Sequence, residues 1–200
     1  VNLTLENMEG VPLAVAVGGE TIALSIVVEA IDAVANPIVG FLIRDRLGLQ
    51  ELPREAVEAT GSVMFVGAMA TLLAQWGLIP ILSLSPRDSV LWGSVLALLG
   101  VALTGVSHDY SGITLGFALA SLGFGLFRPG FTAGASLAVK RSEQGDVAGK
   151  IASINGAAYI FAPAVGVALF NLWEPATFIL TGAALAFLIL WGKKNLSTNT

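Results

Sequence analysis

Six stretches of this 200-residue chain are apolar for long enough to cross a bilayer, and no other feature limits its fold as strongly. They run over residues 14 to 43, 57 to 82, 89 to 107, 112 to 139, 147 to 171 and 175 to 192. Each approaches or exceeds the roughly 20 residues that a helix needs to span the hydrocarbon. Only 12% of residues are charged, about half the usual share in a soluble domain, so there is too little charge to solvate six such segments. The runs are continuously apolar rather than alternating, which disfavours a β-barrel. The expected fold is an all-α membrane protein with six transmembrane helices.

The charged and turn-forming residues fall between the runs, in RDRLGLQELPREA (44 to 56), SLSPRD (83 to 88), SHDYSG (107 to 112), KRSEQGD (140 to 146) and WEP (173 to 175). Links this short make successive helices antiparallel. Arg87, Lys140, Arg141, Lys150, Lys193 and Lys194 then share one side, and Arg44, Arg46 and Arg54 the other. The richer side is expected in the cytoplasm, which puts both termini there. Residues 1 to 13 read as a cytoplasmic linker and 193 to 200 as a cytoplasmic tail. No basic, apolar and small-residue leader pattern opens the chain at Val1, which reads as the start of a fragment.

Absences narrow the chemistry. No cysteine is present, so disulfide and thiolate chemistry are excluded, and the lone His108 in a short link cannot build a metal cluster. No phosphate-binding glycine loop with Lys-Ser/Thr occurs, so ATP hydrolysis is not expected. An intramembrane serine protease would need Ser and His together at depth, and no GxSxG occurs. No enzyme activity, cofactor, metal or nucleic-acid partner is expected.

The polar residues inside the runs are the candidates for function. In the first run Thr21, Ser25, Glu29, Asp32 and Asn36 recur at helical spacing and form one wet stripe, followed by Pro37. A buried charge costs at least ~2.5 kcal/mol at the bilayer centre, so Glu29 and Asp32 are expected to face a cavity or a partner. The fourth run carries Ser121, Arg128, Thr132 and Ser136, with Pro129 removing an intrahelical donor beside the arginine. Lys140 and Arg141 mark the interface about 12 residues, or ~18 Å, further on, which is long for Arg128 to reach by snorkelling. The second run has Thr71 and Gln75 before Pro80, and the fifth has Asn155 and Tyr159 before Pro163. The third and sixth runs hold small hydroxyls (Ser94, Thr104, Thr177, Thr181), which can bond the backbone of their own helix. Four helices are therefore expected to line a cavity and two to lie outside it.

That division, with GFALASLGFGLFRPGFTAGASLAV (116 to 139) and EQGDVAGKIASINGAAYIFAPAVGVALF (143 to 170), resembles the C-terminal six-helix half of a major facilitator superfamily transporter of the drug-efflux-like branch. The glycine-rich helix with a proline in its middle, the QG..AG turn and a proline element match that branch. Alanine at 162 stands where its GP..G element has glycine. GFLIRDRLG (40 to 48) is similar to a loop motif of the same superfamily but follows the first run, so it reads as an ordinary connection.

The resemblance implies a bundle of two inverted three-helix repeats that rocks against an N-terminal six-helix half. It implies proton-coupled movement of a small molecule, as efflux, across the cytoplasmic membrane. The substrate or proton pathway would include Glu29, Asp32, Asn36, Gln75, Arg128, Thr132, Asn155 and Tyr159, with Pro37, Pro129 and Pro163 as points of helix flexing. The partners would be the lipid bilayer, the N-terminal half, the substrate and protons. The competing expectation is a six-span membrane scaffold without transport of its own, in which the charges only pair.

Overall fold

The computed structural model describes residues 38–137 and 139–195, and among them every regular element is helical. Residues 38–46 form α1. Then come α2 (Pro53–Leu82), α3 (Pro86–Val106), α4 (Tyr110–Leu137), α5 (Gln144–Leu172) and α6 (Glu174–Asn195). α2 to α6 are each long and apolar enough to cross a membrane. The chain is thus a multi-pass membrane protein, all-helical over the described residues. The first run reaches the described residues only at 38–43, and the 1 to 13 linker and residues 196 to 200 lie outside them.

The breaks follow from prolines and caps. Pro86 and Pro175 cannot donate to the carbonyls four residues earlier, and α2 and α5 end at Leu82 and Leu172. After α1 the chain turns through Gly48 at φ +67°, and the Leu49 amide reaches back to the Arg44 carbonyl at 2.9 Å. This six-to-one closure needs a left-handed residue, which glycine supplies without a Cβ clash. α2 closes in the same way through Ser83 at φ 47°, with the Leu84 amide on the Ile79 carbonyl. Ser85 and Asp109 then cap α3 and α4 by accepting from the amides of Asp88 and Gly112.

Inside α2, residues Leu73–Leu78 form a π-helical turn, in which the Ile79 amide bonds the Ala74 carbonyl five residues back. Pro80 supplies the cause, because it has no amide for the Trp76 carbonyl and the turn widens around that gap. Gln75 sits on this turn.

α3 and α4 pack most closely of all, along small residues at seven-residue spacing. A methyl built on Gly93 would lie 2.6 Å from the Gly123 carbonyl oxygen, and one on Gly100 would lie 2.6 Å from the Gly116 carbonyl. Gly130 meets Ser89 in the same way. Gly116, Gly123 and Gly130 therefore form the seam of α4. Backbones come this near only where side chains vanish, which is how helices associate in lipid. Phe127, 1% exposed, and Phe124, Leu185 and Leu188 fill the space beside the seam.

α3, expected outside the cavity, keeps Trp92 and Leu99 exposed and packs its small residues between α4 and α6. Glycine and alanine, which gave it no polar stripe, are what admit it there. α2 and α5 instead leave broad faces outside, with Phe65, Met69, Trp76, Ile160 and Phe161 exposed. Apolar faces of this extent belong in lipid or against another apolar bundle.

Candidate functional site

Arg128 and Tyr159 lie 31 positions apart and meet across α4 and α5. The Arg128 guanidinium donates from Nη2 to the Tyr159 hydroxyl at 2.6 Å, and its central carbon lies 5.6 Å from the ring centroid. Arg128 is half-buried and Tyr159 is 47% exposed, so the pair sits at the edge of the helix-helix contact rather than inside a sealed core. Pro129 and Pro163 follow the two residues, and each removes one intrahelical donor from the turn that carries them. A phenol that accepts from a guanidinium retains its own proton as a donor. The pair therefore offers both a fixed positive charge and a hydroxyl relay at one place.

Around it, Thr132 lies exposed one turn beyond Arg128, and Asn155 lies half-buried one turn before Tyr159. Thr71 and Ser121, from two different expected stripes, are joined by the Thr71 hydroxyl donating to the Ser121 carbonyl at 3.2 Å. That contact is a packing contact. Gly67 lies against Ser121 and the Phe117 ring, and Gly125 against Thr71 and Ala74, so the two polar residues bolt α2 to α4. Gln75 is half-buried on the π turn. The predicted carboxylates Glu29 and Asp32, with Asn36 and Pro37, lie outside the described residues.

Arg46 carries a role that its place in a connection did not suggest. Its side chain is only 8% exposed and it closes one end of the bundle. Nε donates to Glu174 at 2.7 Å, Nη2 to the Gly105 carbonyl at 2.8 Å, and Nη1 to the carbonyls of Thr104 and Ser107. The guanidinium also stands 5.7 Å from the Phe178 ring centroid. One cation thus caps the negative end of α3 and pairs with the first residue of α6, holding both to the end of α1. The sequence carried one weak signal of it: Glu174, an acid at the opening of the last run, on the same expected side as Arg46.

The small hydroxyls of α3 and α6 mostly satisfy themselves. Ser94, Thr104 and Thr181 donate to the carbonyls of Val90, Gly100 and Thr177, four residues back. Thr177 departs from that expectation: its hydroxyl oxygen is buried without a hydrogen-bond partner. His108 stays in its link, with Nδ1 3.0 Å from the Val106 carbonyl.

No protein-family model matches the chain, and a search of curated proteins finds no significant relative.

Proposed function

We propose that this bundle forms one wall of a proton-coupled secondary transporter that moves a small molecule across the cytoplasmic membrane, in the direction of efflux. The observation that carries the reading is the Arg128–Tyr159 pair, a fixed cation held between two long, mainly apolar helices. A charge in that setting is expensive, and is ordinarily kept where water, substrate or an acidic partner reaches it. Glu29 and Asp32 are the proton carriers in this reading. Desolvation and mutual repulsion favour the protonated form of a carboxylate, and approach of the arginine favours the ionised form. Proton uptake and helix movement are then two sides of one equilibrium. The face that carries Arg128, Thr132, Asn155 and Tyr159 is the one that a second six-helix bundle would close against.

The test is flux in liposomes carrying the whole transporter, with and without an imposed pH gradient. Arg128→Ala should abolish gradient-driven flux. Arg128→Lys keeps the charge but not the planar fork and should retain part of it. The expected loss for alanine is at least about tenfold, since charge-assisted hydrogen bonds are worth ~1.5–3 kcal/mol. Combining Arg128→Ala with Glu29→Gln or Asp32→Asn should recover stability, because the orphaned carboxylate goes too. Full coupling in Arg128→Ala, or no gradient-driven flux in the unaltered protein, would contradict the proposal.

A further inference from the structure

Thr177 opens the second turn of α6, is 3% exposed, and has no hydrogen-bond partner for its hydroxyl. Burial without a partner costs a hydroxyl roughly 1–3 kcal/mol, so a native structure seldom leaves one that way. Beside it lies a cavity of about 30 Å³ where α1, α3, α4 and α6 meet. Thr104, Thr177 and Thr181 supply its hydroxyls, and Phe117, Phe178 and Ile38 stand among its apolar walls.

We propose that this cavity is a resident water site, in which Thr177 donates to ordered water and the water donates to the hydroxyl oxygens of Thr104 and Thr181. The donor count favours this. Thr104 and Thr181 already spend their hydroxyl protons on their own helices, at 2.9 and 2.7 Å, and so face the cavity as acceptors only. Thr177 brings the complementary proton. A water with two donors and one accepted bond completes all three groups, and about three bonds is what buried waters ordinarily make. The volume agrees, since one water needs roughly 10–15 Å³.

A cation is disfavoured, because no carboxylate lines the cavity and the Arg46 guanidinium lies against Phe178 and the Thr104 carbonyl at its edge. The site stands at the end of the bundle where α3 finishes and α6 begins, so exchange with bulk water has a short path. The consequence is that α6 is tied to α3 by water beneath the Arg46 clamp, beside the direct packing of Phe178 on Gly105.

The test uses the full chain in bilayers and has two arms. In solid-state NMR of the unaltered protein, magnetisation started on water should reach the side chains of Thr177 and Thr104 well before that of Leu185, which is buried at 1% exposure in the neighbouring apolar core. Equal, slow build-up at all three would show a dry cavity and overturn the proposal. In the second arm, Thr177→Val and Thr104→Val are compared singly and together by thermal unfolding. Each should lower Tm, and the pair should lower it by less than the sum, because one bridge is lost once. A raised Tm for Thr177→Val would mean that the hydroxyl was unsatisfied. A lowered Tm with strict additivity would mean that it bonds its own helix. Either of these results overturns the proposal.

Discussion

Arg46 shows how far one side chain can bind a membrane bundle together. Its ligands are carbonyls 58, 59 and 61 positions away and a carboxylate 128 positions away, so three helices, α1, α3 and α6, meet on one guanidinium. Removing it leaves Glu174, whose side chain is 34% exposed, and the end of α3 without their counter-charge, and hydrogen bonds to a charged group are worth about 1.5–3 kcal/mol. Arg46→Ala should therefore lower the unfolding temperature of the chain markedly, and Arg46→Lys should recover only part, having one centre of donors where the fork serves four groups. An unfolding temperature within error of the unaltered protein would show that solvent replaces the clamp. Ser83 makes the opposite prediction. It is held at φ 47°, which costs a non-glycine residue of order 1 kcal/mol. Ser83→Gly should therefore stabilise slightly, and a loss of stability would mean that the serine side chain serves the turn.

Among the elements, the seam between α3 and α4 is the most demanding. Gly123→Ala would drive a methyl into the Gly93 carbonyl and the Ala97 backbone, which cannot yield as a flexible side chain would. Overpacking of this kind costs about 1–3 kcal/mol. Gly156→Ala is the control, because nothing lies within 4 Å of a methyl there and the helix gains alanine's propensity, roughly 1 kcal/mol at most. Thermal unfolding should separate the two in sign, and equal effects would mean that the helices can slide apart to admit a side chain.

The same seam marks what could be read in advance. Gly112 with Gly116, and Gly130 with Gly134, have the four-residue spacing of a small-residue packing motif, but the interface uses Gly116 and Gly130 with Gly123 between them. Gly112 meets the Ser107 side chain, and Gly134 has only loose contact with Pro86. Which glycines face a partner depends on the register of that partner, and one helix does not contain this information. The five later spans and their breaks were legible because length, proline and caps act locally. Arg128 and Tyr159 were each legible as polar residues in apolar helices, but their meeting was not, since it is set by how α5 lies along α4. Arg46 was read as a loop residue because its acceptors are backbone carbonyls, which every residue has.

At the scale of the whole molecule, the clamp fixes which ends lie together. Arg46 reaches Ser107 and Glu174, so the α1–α2, α3–α4 and α5–α6 connections share one end. Ser89 and Pro86 meet Gly130 near the other end, where Lys140 and Arg141 follow α4. Single cysteines are easy to place because the chain has none of its own. Cysteines at 54 and 141 should label with an impermeant reagent from opposite faces of the membrane, with 141 on the cytoplasmic face that its excess of lysine and arginine favours. Labelling of both from one side would overturn the antiparallel arrangement.

The central claim is that the face bearing Arg128 and Tyr159 borders an aqueous pathway, while the opposite face of α5 lies in lipid. Thr132 and Asn155 flank the pair one turn away on each helix, and Phe161, 68% exposed, projects from the far side of α5. Exposure alone does not distinguish water from lipid, but a thiol does, because it reacts with a charged maleimide only as the hydrated thiolate. In the full-length protein in native membranes, Thr132→Cys and Asn155→Cys should react readily, and Phe161→Cys should stay unmodified until the membrane is dissolved in denaturing detergent. Protection of 132 and 155 to the same degree as 161 would contradict the pathway and leave Arg128 and Tyr159 as a structural fastening between two helices.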